Sequence, residues 1–549
     1  MIRNPILPGF NPDPSIVRVG EDYYIATSTF EWFPGVQIHH SRDLVHWRLL
    51  TRPLIRASQL NMLGDPDSCG IWAPCLTYAD GLFWLIYTDV KRYGRTTVGG
   101  ASGASLRDFH NYLVTCPTID GAWSDPVYLH SSGFDPSLFH DADGRKYLVN
   151  QLWDYRPSRN RFNGIVLQEY SVTERRLIGH PENIFAGTAL GLTEAPHLYR
   201  RDGYYYLLTA EGGTAWGHAV TMARSRSLSG PYELHPDGPI LSSRHRPDVE
   251  LQRAGHADLV ETPHGETYMV YLCGRPLRNR GRCTLGRETA IQPMVWSTDG
   301  WLRTTDGQGL AQTTAPAPTG LIPHVFTVPP TREDFDDASP QLPLAFQWLR
   351  SPYPDELFSL TARPGHLRLF GRESIGSPFR QSLVARRQQA HCYSASTVIA
   401  FEPQHYQQSA GLVCYYNSAK FHYLYVSHDE TLGKHLRVMS CLPDSPQTDS
   451  FTPPIAIPPG TRLELRVEVD HERLLFAYRV EGRDTAWQWL PQQFDASILS
   501  DEAAAPGSPN FTGAFVGVAC QDTSGTALPA DFDWFEYRER PFVADPAKV

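Results

Sequence analysis

The chain contains 549 residues with a mass of 61.7 kDa, and a prior of roughly 100–200 residues per domain predicts two to four domains. With 41% apolar and 20% charged residues, the composition is typical of a globular protein rather than a disordered one. The 49 basic and 59 acidic residues give a net charge of −10, which argues against nucleic acid or an anionic membrane surface as the main partner.

The N-terminal sequence MIRNPILPGFNPDPS has no apolar run of the length found in secretory signals. No other stretch approaches the roughly 18 apolar residues of a membrane-spanning helix. We therefore expect a cytoplasmic protein without a membrane partner. The nine cysteines are scattered singly, without a CxxC pair or a common zinc spacing, so we expect all of them to be reduced thiols.

The first half of the chain repeats one pattern five times: two apolar residues, a polar turn and an aromatic-rich strand. The five segments are SIVRVGEDYYIATST, CLTYADGLFWLIYTD, SLFHDADGRKYLVNQ, HLYRRDGYYYLLTAE and DLVETPHGETYMVYL. Their anchor residues, spaced by 60, 62, 60 and 61 residues, are Ile16, Leu76, Leu138, Leu198 and Leu259. Each segment is typical of two strands joined by a tight turn. Five evenly spaced units, each long enough for four strands, predict a five-bladed β-propeller.

The composition changes near residue 310. Residues 311–333 are rich in Pro and Thr, which predicts a linker between a propeller at residues 1–310 and a second domain at residues 334–549. Period-two alternation continues in the second domain, in the runs HLRLFGRES, ASTVIAFEP, AGLVCYYNS, FHYLYVSHD, RLELRVEVD, RLLFAYRV, FTGAFVGVA and DFDWFEYRE. This alternation predicts a β-sandwich, so the expected fold class is all-β.

Acidic residues recur at equivalent positions at the start of the repeats. Three residues before the anchors lie Asp13, Ala73, Asp135, Ala195 and His256. Because equivalent positions in a propeller come around one ring, we expect Asp13, Asp135 and Glu194 to converge at one mouth of the central channel. His256 and Trp72 would join them there. Glu194 stands one residue out of step, which in a regular strand would turn it to the opposite side, and a bulge would bring it back.

Three carboxylates in an aromatic-lined pocket suit glycoside hydrolysis. One acid protonates the leaving oxygen, and a second carboxylate activates water or attacks the sugar. A third carboxylate nearby raises the pKa of the acid. Two other interpretations remain open for these residues. An Asp before Pro-Ser also marks a turn or a cap, and the same carboxylates could form a calcium site.

Longer motifs resemble those of glycoside hydrolase family 43, and of its two-domain β-xylosidases in particular. In the first half they are FNPDPSIVRVGEDYYIATSTFEWFPGVQIHHSRDLVHW, GIWAPCLTYADGLFWLIYTD, GFDPSLFHDADGRKYLVN, LTEAPHLYRRDGYYYLLTAEGGT and LGRETAIQ. In the second half the motif is FTGAFVGVACQDTSGTALPADFDWF. The resemblance runs almost from end to end. It implies a five-bladed β-propeller followed by a concanavalin A-like β-sandwich, and hydrolysis with inversion of anomeric configuration.

The resemblance also implies roles for individual residues. By motif match, Asp13 of NPDPS would be the general base and Glu194 of TEAPHL the general acid. Asp135 of FDPSLF would tune the pKa of the acid and orient it. The residues that would line the pocket for the terminal sugar are Phe30, Trp72, Ala73, Thr214, His256, Arg287 and Phe511. Phe511 belongs to the predicted sandwich, which would close one side of the pocket and favour removal of end residues. Taken alone, an Arg or a His at such a position fits a surface or structural residue as well.

These implications predict an exo-acting β-xylosidase that releases D-xylose from the non-reducing ends of β-1,4-xylo-oligosaccharides. The inverting mechanism requires roughly 6.5–9.5 Å between the base and acid carboxyls, which leaves room for a water molecule. α-L-Arabinofuranosidase activity, alone or alongside xylosidase activity, is the alternative, since no residue type distinguishes the two sugars. A fructan-cleaving hydrolase is disfavoured because its WMNDPNG-type motif is absent. A sugar-binding propeller without activity is disfavoured because the three carboxylates are intact.

No cofactor is expected to be required. Relatives differ in whether they place Ca²⁺ near the pocket histidine, and this sequence has no Asp-rich calcium loop, so we assign no metal ligand and leave metal dependence open. The expected partner is a small oligosaccharide. The resemblance also implies a homo-oligomer, either a dimer or a tetramer.

Overall fold

The computed structural model describes residues 1–93, 106–278, 280–337, 339–442, 449–504 and 510–540. Within these ranges the regular secondary structure consists of β-strands and two single-turn 3-10 helices. It divides into two compact units. The first comprises Met1–Leu60, Cys69–Arg280 and Arg287–Phe326, and the second comprises Asn61–Ser68, Gly281–Gly286 and Thr327–Val549. No helix among the described residues is long and apolar enough to cross a membrane.

The first unit begins with the short strand β1 (Ile2–Arg3) and continues as five four-stranded antiparallel sheets, the blades. Blade one consists of β2 (Ser15–Val19), β3 (Asp22–Thr27), β5 (Gln37–Ser41) and β6 (Arg48–Thr51), with the two-residue strand β4 (Trp32–Phe33) between β3 and β5. Blade two consists of β7 (Gly70–Ala79), β8 (Leu82–Arg92), β9 (Asp108–Cys116) and β10 (Val127–His130). Blade three consists of β11 (Ser137–His140), β12 (Lys146–Trp153), β13 (Phe162–Ser171) and β14 (Arg176–Phe185).

Blade four consists of β15 (Glu194–Arg201), β16 (Tyr204–Glu211), β17 (Ala219–Ser225) and β18 (Glu233–Leu234). Blade five consists of β19 (Gln252–Glu261), β20 (Thr267–Gly274), β21 (Glu288–Trp296) and β22 (Leu302–Thr304). A further short strand, β23 (Thr314–Ala315), pairs with β1.

The first two strands of every blade form the hairpin that the repeats predict. In blade two, Ala79 pairs with Leu82 across a loop of only Asp80 and Gly81. Both loop residues have positive φ, 55° and 75°. A two-residue turn of this type requires positive φ at both positions, which Asp and Gly tolerate and bulky residues do not. The Asp-Gly pair therefore sets the register of this hairpin locally.

The ring is closed by the innermost strands and by the N-terminal segment. β2, β7, β11, β15 and β19 pack against one another in cyclic order, and β19 packs against β2. The backbone N–H of Asn11 donates to the Arg287 carbonyl at 3.0 Å, and the Thr289 hydroxyl donates to the Asn11 carbonyl at 2.6 Å. The segment that carries the first acidic position is therefore attached to the last blade.

Apolar side chains pack between neighbouring blades rather than in one central core. Residues of β2 and β3 share a buried cluster with residues of β19, β20 and β21, and residues of β7–β9 share another with those of β11–β13. Burial of apolar area is the main favourable contribution to folding, at roughly 25 cal/mol per Å². The contacts between blades are therefore what stabilises the ring.

The second unit consists of two antiparallel sheets. The strands of the first sheet are β24 (Arg332–Glu333), β26 (Phe358–Ser359), β27 (Leu367–Phe370), β29 (Cys392–Ala400), β35 (Leu463–Asp470), β36 (Arg473–Val480), β37 (Gln488–Asp495) and β39 (Pro529–Glu539). The strands of the second sheet are β25 (Phe346–Leu349), β28 (Ser382–Arg387), β30 (Gln408–Asn417), β31 (Lys420–Asp429), β32 (Gly433–Cys441), β33 (Asp449–Phe451), β34 (Ile455–Ala456) and β38 (Phe515–Asp522). The 3-10 helices are Pro354–Glu356 and Ala496–Ile498.

Alternation along β35 shows why these strands form a sandwich. Leu463, Leu465, Val467 and Val469 are all buried. Their neighbours Arg466 and Glu468 lie on the opposite face and are partly exposed. Because side chains alternate between the two faces of a strand, this pattern places one face of the sheet in a core. Every run that predicted a strand in this half overlaps a strand of the structure.

Residues 311–333, the predicted linker, contain regular structure at both ends. β23 pairs with β1 in the first unit, which continues to Phe326, and β24 pairs with β39 in the second. Pro and Thr favour irregular chain, but two-residue strands need only a neighbouring strand that supplies hydrogen-bond partners. The domain boundary at residue 310 stays a prediction.

Candidate active site

Five equivalent residues at the entrance to the innermost strands share an unusual backbone conformation. Their φ angles, 57°, 32°, 52°, 50° and 46°, belong to Asp13, Ala73, Asp135, Ala195 and His256. Positive φ is uncommon for residues other than Gly and costs free energy, on the order of 1 kcal/mol or more for each residue. Its recurrence in all five blades shows that the repeats are equivalent in structure as well as in sequence, and it marks this ring of residues as a candidate site.

A bulge interrupts strand β15 directly after Glu194. The pairing of β15 with β16 is regular from His197 onwards, but the register shifts between Glu194 and His197. Comparable shifts occur in β7, between Trp72 and Cys75, and in β19. A bulge inserts a residue and interrupts the two-residue alternation of a strand. The one-residue offset of Glu194 from the two aspartates is therefore no evidence that its side chain lies on the opposite face.

Asp13 lies at the centre of a buried hydrogen-bond network. The Ser28 hydroxyl donates to Asp13 Oδ2 at 2.6 Å, and Arg287 Nη1 donates to Asp13 Oδ1 at 2.8 Å. The Ser28 oxygen also accepts a hydrogen bond from the backbone N–H of Ala73 at 2.7 Å. His256 Nδ1 lies 3.7 Å from Asp13 Oδ1. Two hydrogen bonds, one of which is also an ion pair with Arg287, thus hold this carboxylate in one orientation.

Asp135 and Glu194 have strongly raised pKa values. Burial is the main cause of the high pKa of Asp135, and the negative charges of Glu194 and Asp13 add to it. Burial also raises the pKa of Glu194 to about 8, with a further contribution from Asp13 and an opposing one from Arg287. The backbone N–H of Ala195 donates to Asp135 Oδ2 at 3.1 Å, which ties Asp135 to the residue beside Glu194. A carboxyl group of this pair therefore stays protonated near neutral pH.

Arg287 and His256 complete the polar side of the candidate site. Arg287 is buried and its Nη1 also donates to the Thr214 hydroxyl at 3.4 Å. Its guanidinium carbon lies 5.1 Å from the centre of the Phe30 ring, within cation–π range. Burial lowers the pKa of His256 to about 4, although the charge of Asp13 acts in the opposite direction. His256 is therefore a neutral imidazole at neutral pH.

Aromatic side chains form the apolar side of the candidate site. The centroids of Phe30 and Trp72 lie 5.6 Å apart with the planes at 39°, and Trp72 meets Phe134 edge-on at 5.7 Å. Tyr93 lies 5.0 Å from Trp72. Flat rings of this kind cover the apolar faces of sugars.

Most of the residues proposed from the sequence are therefore brought together in the first unit. Contacts connect Asp13 with Arg287, His256 and, through Ser28, Ala73. Phe511 belongs to the second unit, where its backbone N–H donates to the Ser68 hydroxyl at 3.2 Å. The expected role of Phe511 in the pocket stays a prediction.

Sequence reasoning missed Ser28, which joins Asp13 to the second blade. Ser28 follows the second strand of the first repeat, in IATSTF, and carries no charge that would single it out. A comparison of the five repeats at the end of their second strand could have drawn attention to the position. Sequence reasoning also missed Asp258. It accepts hydrogen bonds from four other residues of the inner strands: Ser15, Ile16, Tyr199 and Leu259.

Side-chain donors that could hold a metal ion also occur away from this ring. Among the described residues, the group of His, Cys, Asp and Glu atoms close enough to share an ion is Cys392, Asp470 and His471, in the second unit.

Comparison with known proteins assigns the chain to a family. Residues 2–302 match the family model of glycosyl hydrolases family 43. The chain belongs to this family. Residues 332–538 of the family 43 protein match the model of the beta xylosidase C-terminal concanavalin A-like domain. The predicted resemblance and the predicted fold, a five-bladed propeller followed by a concanavalin A-like sandwich, are thereby confirmed.

Individual relatives of this family 43 glycoside hydrolase match along their whole length. It is 51% identical over 554 residues to a beta-xylosidase of Bacillus subtilis strain 168, covering 98% of this chain and 100% of the relative. It is 50% identical over 562 residues to xylosidase/arabinosidase 43B of Humicola insolens, and this match covers 100% of this chain and 99% of the relative. The crystal structure of a xylan beta-1,4-xylosidase from Bacillus halodurans C-125 superposes on this structure with a TM-score of 0.93 at 51% identity. The superposition covers 98% of this chain and 100% of that one.

Proposed function

We propose that this family 43 glycoside hydrolase is an exo-acting, inverting β-xylosidase that releases D-xylose from the non-reducing ends of β-1,4-xylo-oligosaccharides. The names of the relatives from Bacillus subtilis and Bacillus halodurans support the choice of sugar. The mechanism rests on one observation, the contrast between two carboxyl groups of the same ring. Asp13 is ion-paired with Arg287, whereas the pKa of Glu194 is raised to about 8. Carboxyl groups whose environments differ in this way suit the separate roles of base and acid.

Asp13 is the proposed general base. It removes a proton from a water molecule as the water oxygen attacks the anomeric carbon. Ser28 and Arg287 each donate a hydrogen bond to one oxygen of its carboxylate, so the group is held rigidly while it accepts the proton. Rigid placement matters because a misplacement of about 1 Å costs on the order of 10²-fold in rate.

Glu194 is the proposed general acid, which donates a proton to the departing glycosidic oxygen. Its raised pKa keeps it protonated at neutral pH. Asp135 orients this region through its hydrogen bond with the Ala195 backbone and shares the electrostatic coupling with Glu194. In this scheme kcat/KM falls as the pH rises through about 8, because Glu194 then loses the proton that it donates.

The terminal sugar would lie against the aromatic side of the ring and be held by its polar side. Phe30 and Trp72 supply flat apolar surfaces, and Arg287 supplies the forked donors that suit sugar hydroxyls. Ala73, Thr214 and His256 complete this proposed pocket within the first unit.

The anomer of the first product tests the mechanism. Proton NMR of fresh enzyme with xylobiose should detect α-xylose before mutarotation, because water attacks the face opposite the leaving group. An Asp13→Ala variant is the control and should release xylose on the order of 10³-fold more slowly. Early β-xylose would mean retention and a nucleophilic carboxylate, which contradicts the roles of Asp13 as base and Glu194 as acid.

The dependence on the leaving group separates the acid from the base. Glu194→Ala should lose on the order of 10³-fold in kcat on xylobiose, but far less on an aryl xyloside with an acidic phenol, which departs without protonation. Asp13→Ala should be slow on both substrates, since activation of water is needed for each. Equal losses on the two substrates for Glu194→Ala would remove it from the role of acid.

A second candidate activity is cleavage of terminal α-L-arabinofuranosides. The relative from Humicola insolens, named a xylosidase/arabinosidase, favours it. Parallel kcat/KM measurements on xylosides and arabinofuranosides, with the Asp13→Ala variant as blank, decide between one activity and two. Turnover of arabinosides alone would replace the β-xylosidase proposal.

A further inference from the structure

A cluster of metal-ligating side chains lies in the second unit, at one end of two paired strands. Cys392 is the first residue of β29 and pairs with Asp470, the last residue of β35. His471 follows directly, in the two-residue loop that joins β35 to β36. The register of the sheet therefore brings the Cys392 thiol next to a carboxyl group and an imidazole that lie 78 and 79 residues further along the chain.

Two of the three separations between the donor atoms already match those of a tetrahedral site. Cys392 Sγ lies 3.4 Å from Asp470 Oδ1 and 3.5 Å from His471 Nδ1. Zinc bonds of about 2.0–2.3 Å in a tetrahedral site place ligand atoms roughly 3.3–3.7 Å apart. The remaining separation, 2.6 Å between Asp470 Oδ1 and His471 Nδ1, is that of a hydrogen bond. An ion bound by both atoms would take the place of the shared proton.

The backbone around the cluster is held by neighbouring strands. The His471 N–H donates to the His391 carbonyl at 2.9 Å, and the Arg540 N–H donates to the Cys392 carbonyl at 2.9 Å. Only side-chain rotations are therefore needed to open the short Asp470–His471 contact. The rings of His391 and His471 are stacked with centroids 5.9 Å apart, which places a second imidazole beside the cluster.

The charges of the ligands themselves suit a divalent ion. Glu468, on the same strand, is paired with both Arg466 at 2.7 Å and Arg540 at 3.0 Å, so it supplies no free negative charge to the cluster. A thiolate at Cys392 and the carboxylate of Asp470 would together balance the two charges of the ion. A bound metal ion would take the place of the proton on the Cys392 sulfur.

We propose that Cys392, Asp470 and His471 form a binding site for zinc in the second unit. A sulfur, a nitrogen and an oxygen donor in one site match the borderline-soft Zn²⁺, whereas Ca²⁺ and Mg²⁺ require oxygen ligands. The fourth position is left for water or for the imidazole of His391. All three ligands belong to the second unit, so the expected effect of zinc is to stabilise that unit.

Cobalt substitution tests the site directly. Full-length, tag-free protein is stripped with a chelator and titrated with Co²⁺, which adopts zinc geometry and absorbs visible light. We expect one equivalent of Co²⁺ to produce a sulfur-to-cobalt charge-transfer band together with the d–d bands of a tetrahedral site. One equivalent of Zn²⁺ should abolish both. Absence of stoichiometric Co²⁺ and Zn²⁺ binding would overturn the proposal.

Variants locate the binding to these residues. Cys392→Ser should lose the charge-transfer band, and His471→Ala should weaken Zn²⁺ binding by about ten-fold or more. Cys441→Ser, which removes another buried thiol of the same unit, should leave both unchanged. Retained hydrolysis by each variant verifies folding. A band that survives in Cys392→Ser, or that disappears in Cys441→Ser, would place the metal elsewhere.

Discussion

At the scale of single residues, the site depends on how differently its carboxyl groups are surrounded. Arg287 and Ser28 each donate a hydrogen bond to one oxygen of the Asp13 carboxyl group. At Glu194 burial is the largest influence, and it disfavours the charged form. Burial of Glu194 therefore costs folding free energy, and the same burial raises its pKa, which the proposed general acid needs.

That cost predicts a pH-dependent gain of stability in Glu194→Gln. The folded-state pKa of about 8 lies above the ordinary value of 4.5, so between these pH values the folded protein holds a proton that the unfolded chain has released. Wild-type stability should fall as the pH rises through this window. Since glutamine carries no proton, the advantage of the variant should grow by a few kcal/mol from pH 5 to 8, at about 1.4 kcal/mol per pKa unit.

Urea unfolding at pH 5, 6.5 and 8 measures this gain. Glu233→Gln is the matched control, because Glu233 is an exposed residue of blade four that pairs with Arg224. Its unfolding midpoint should follow that of the wild type at every pH. A difference between Glu194→Gln and wild type that does not change with pH would show that the pKa of Glu194 is ordinary.

At the scale of elements, one buried carboxylate connects three blades. Asp258, on β19, accepts hydrogen bonds from the Ser15 hydroxyl at 3.0 Å and the Ile16 N–H at 2.8 Å, both on β2. The Tyr199 hydroxyl on β15 donates to its other oxygen at 2.5 Å. Since Ser15 lies two residues beyond Asp13, the same network positions the proposed base.

Asp258→Asn should therefore impair both stability and catalysis. The amide NH2 would face groups that donate hydrogen bonds, which leaves a buried donor without an acceptor and costs about 1–3 kcal/mol. We expect a lower unfolding midpoint and a fall in kcat that exceeds any change in KM, because Asp13 shifts with β2. Denaturant titration and steady-state kinetics on xylobiose provide both values.

Asp237→Asn is the control for this substitution. Asp237 is exposed and its partner is Arg303 at 2.9 Å, so its replacement should cost less than about 0.5 kcal/mol. If Asp258→Asn behaved like Asp237→Asn, Asp258 would not connect the blades as the hydrogen bonds indicate.

At the scale of the whole molecule, the cysteines report on the integrity of both units. All nine are thiols rather than disulfides, all are buried, and they are distributed over the two units. This distribution agrees with the expectation of reduced thiols. Burial raises the pKa of several of them, for example that of Cys75 to about 12, which keeps them in the unreactive thiol form.

A thiol-reactive chromogenic disulfide should therefore react with fewer than one thiol per folded chain within minutes. In guanidinium chloride it should react with all nine, since unfolding exposes every thiol. Prior incubation with a reductant serves as the control and should not change the denatured count. Rapid reaction of several thiols in the native protein would contradict the burial of the cysteines.

The oligomeric state also belongs to this scale and stays a prediction. A dimer or a tetramer of 61.7 kDa chains is expected from the family resemblance, and light scattering after size-exclusion chromatography measures it.

The sequence alone determined the features that arise from local patterns. The five hairpins, the all-β fold and the strands of the sandwich could be read from alternation and turn residues, because a strand and its neighbour across a short turn are encoded within about fifteen residues. The repeat register also identified Asp13, Asp135 and His256 as equivalent, and their shared positive φ bears this out.

The tertiary structure decided what depends on residues far apart in the chain. The bulge at Glu194 depends on the pairing of β15 with β16. The bridge through Ser28 and the contact of Arg287 with Asp13 exist only once neighbouring blades have packed together. Cys392 and Asp470 likewise meet only through the register of the sheet. Local patterns carry no information about such pairs, because burial, charge and hydrogen-bond partners are set by whichever strands pack together.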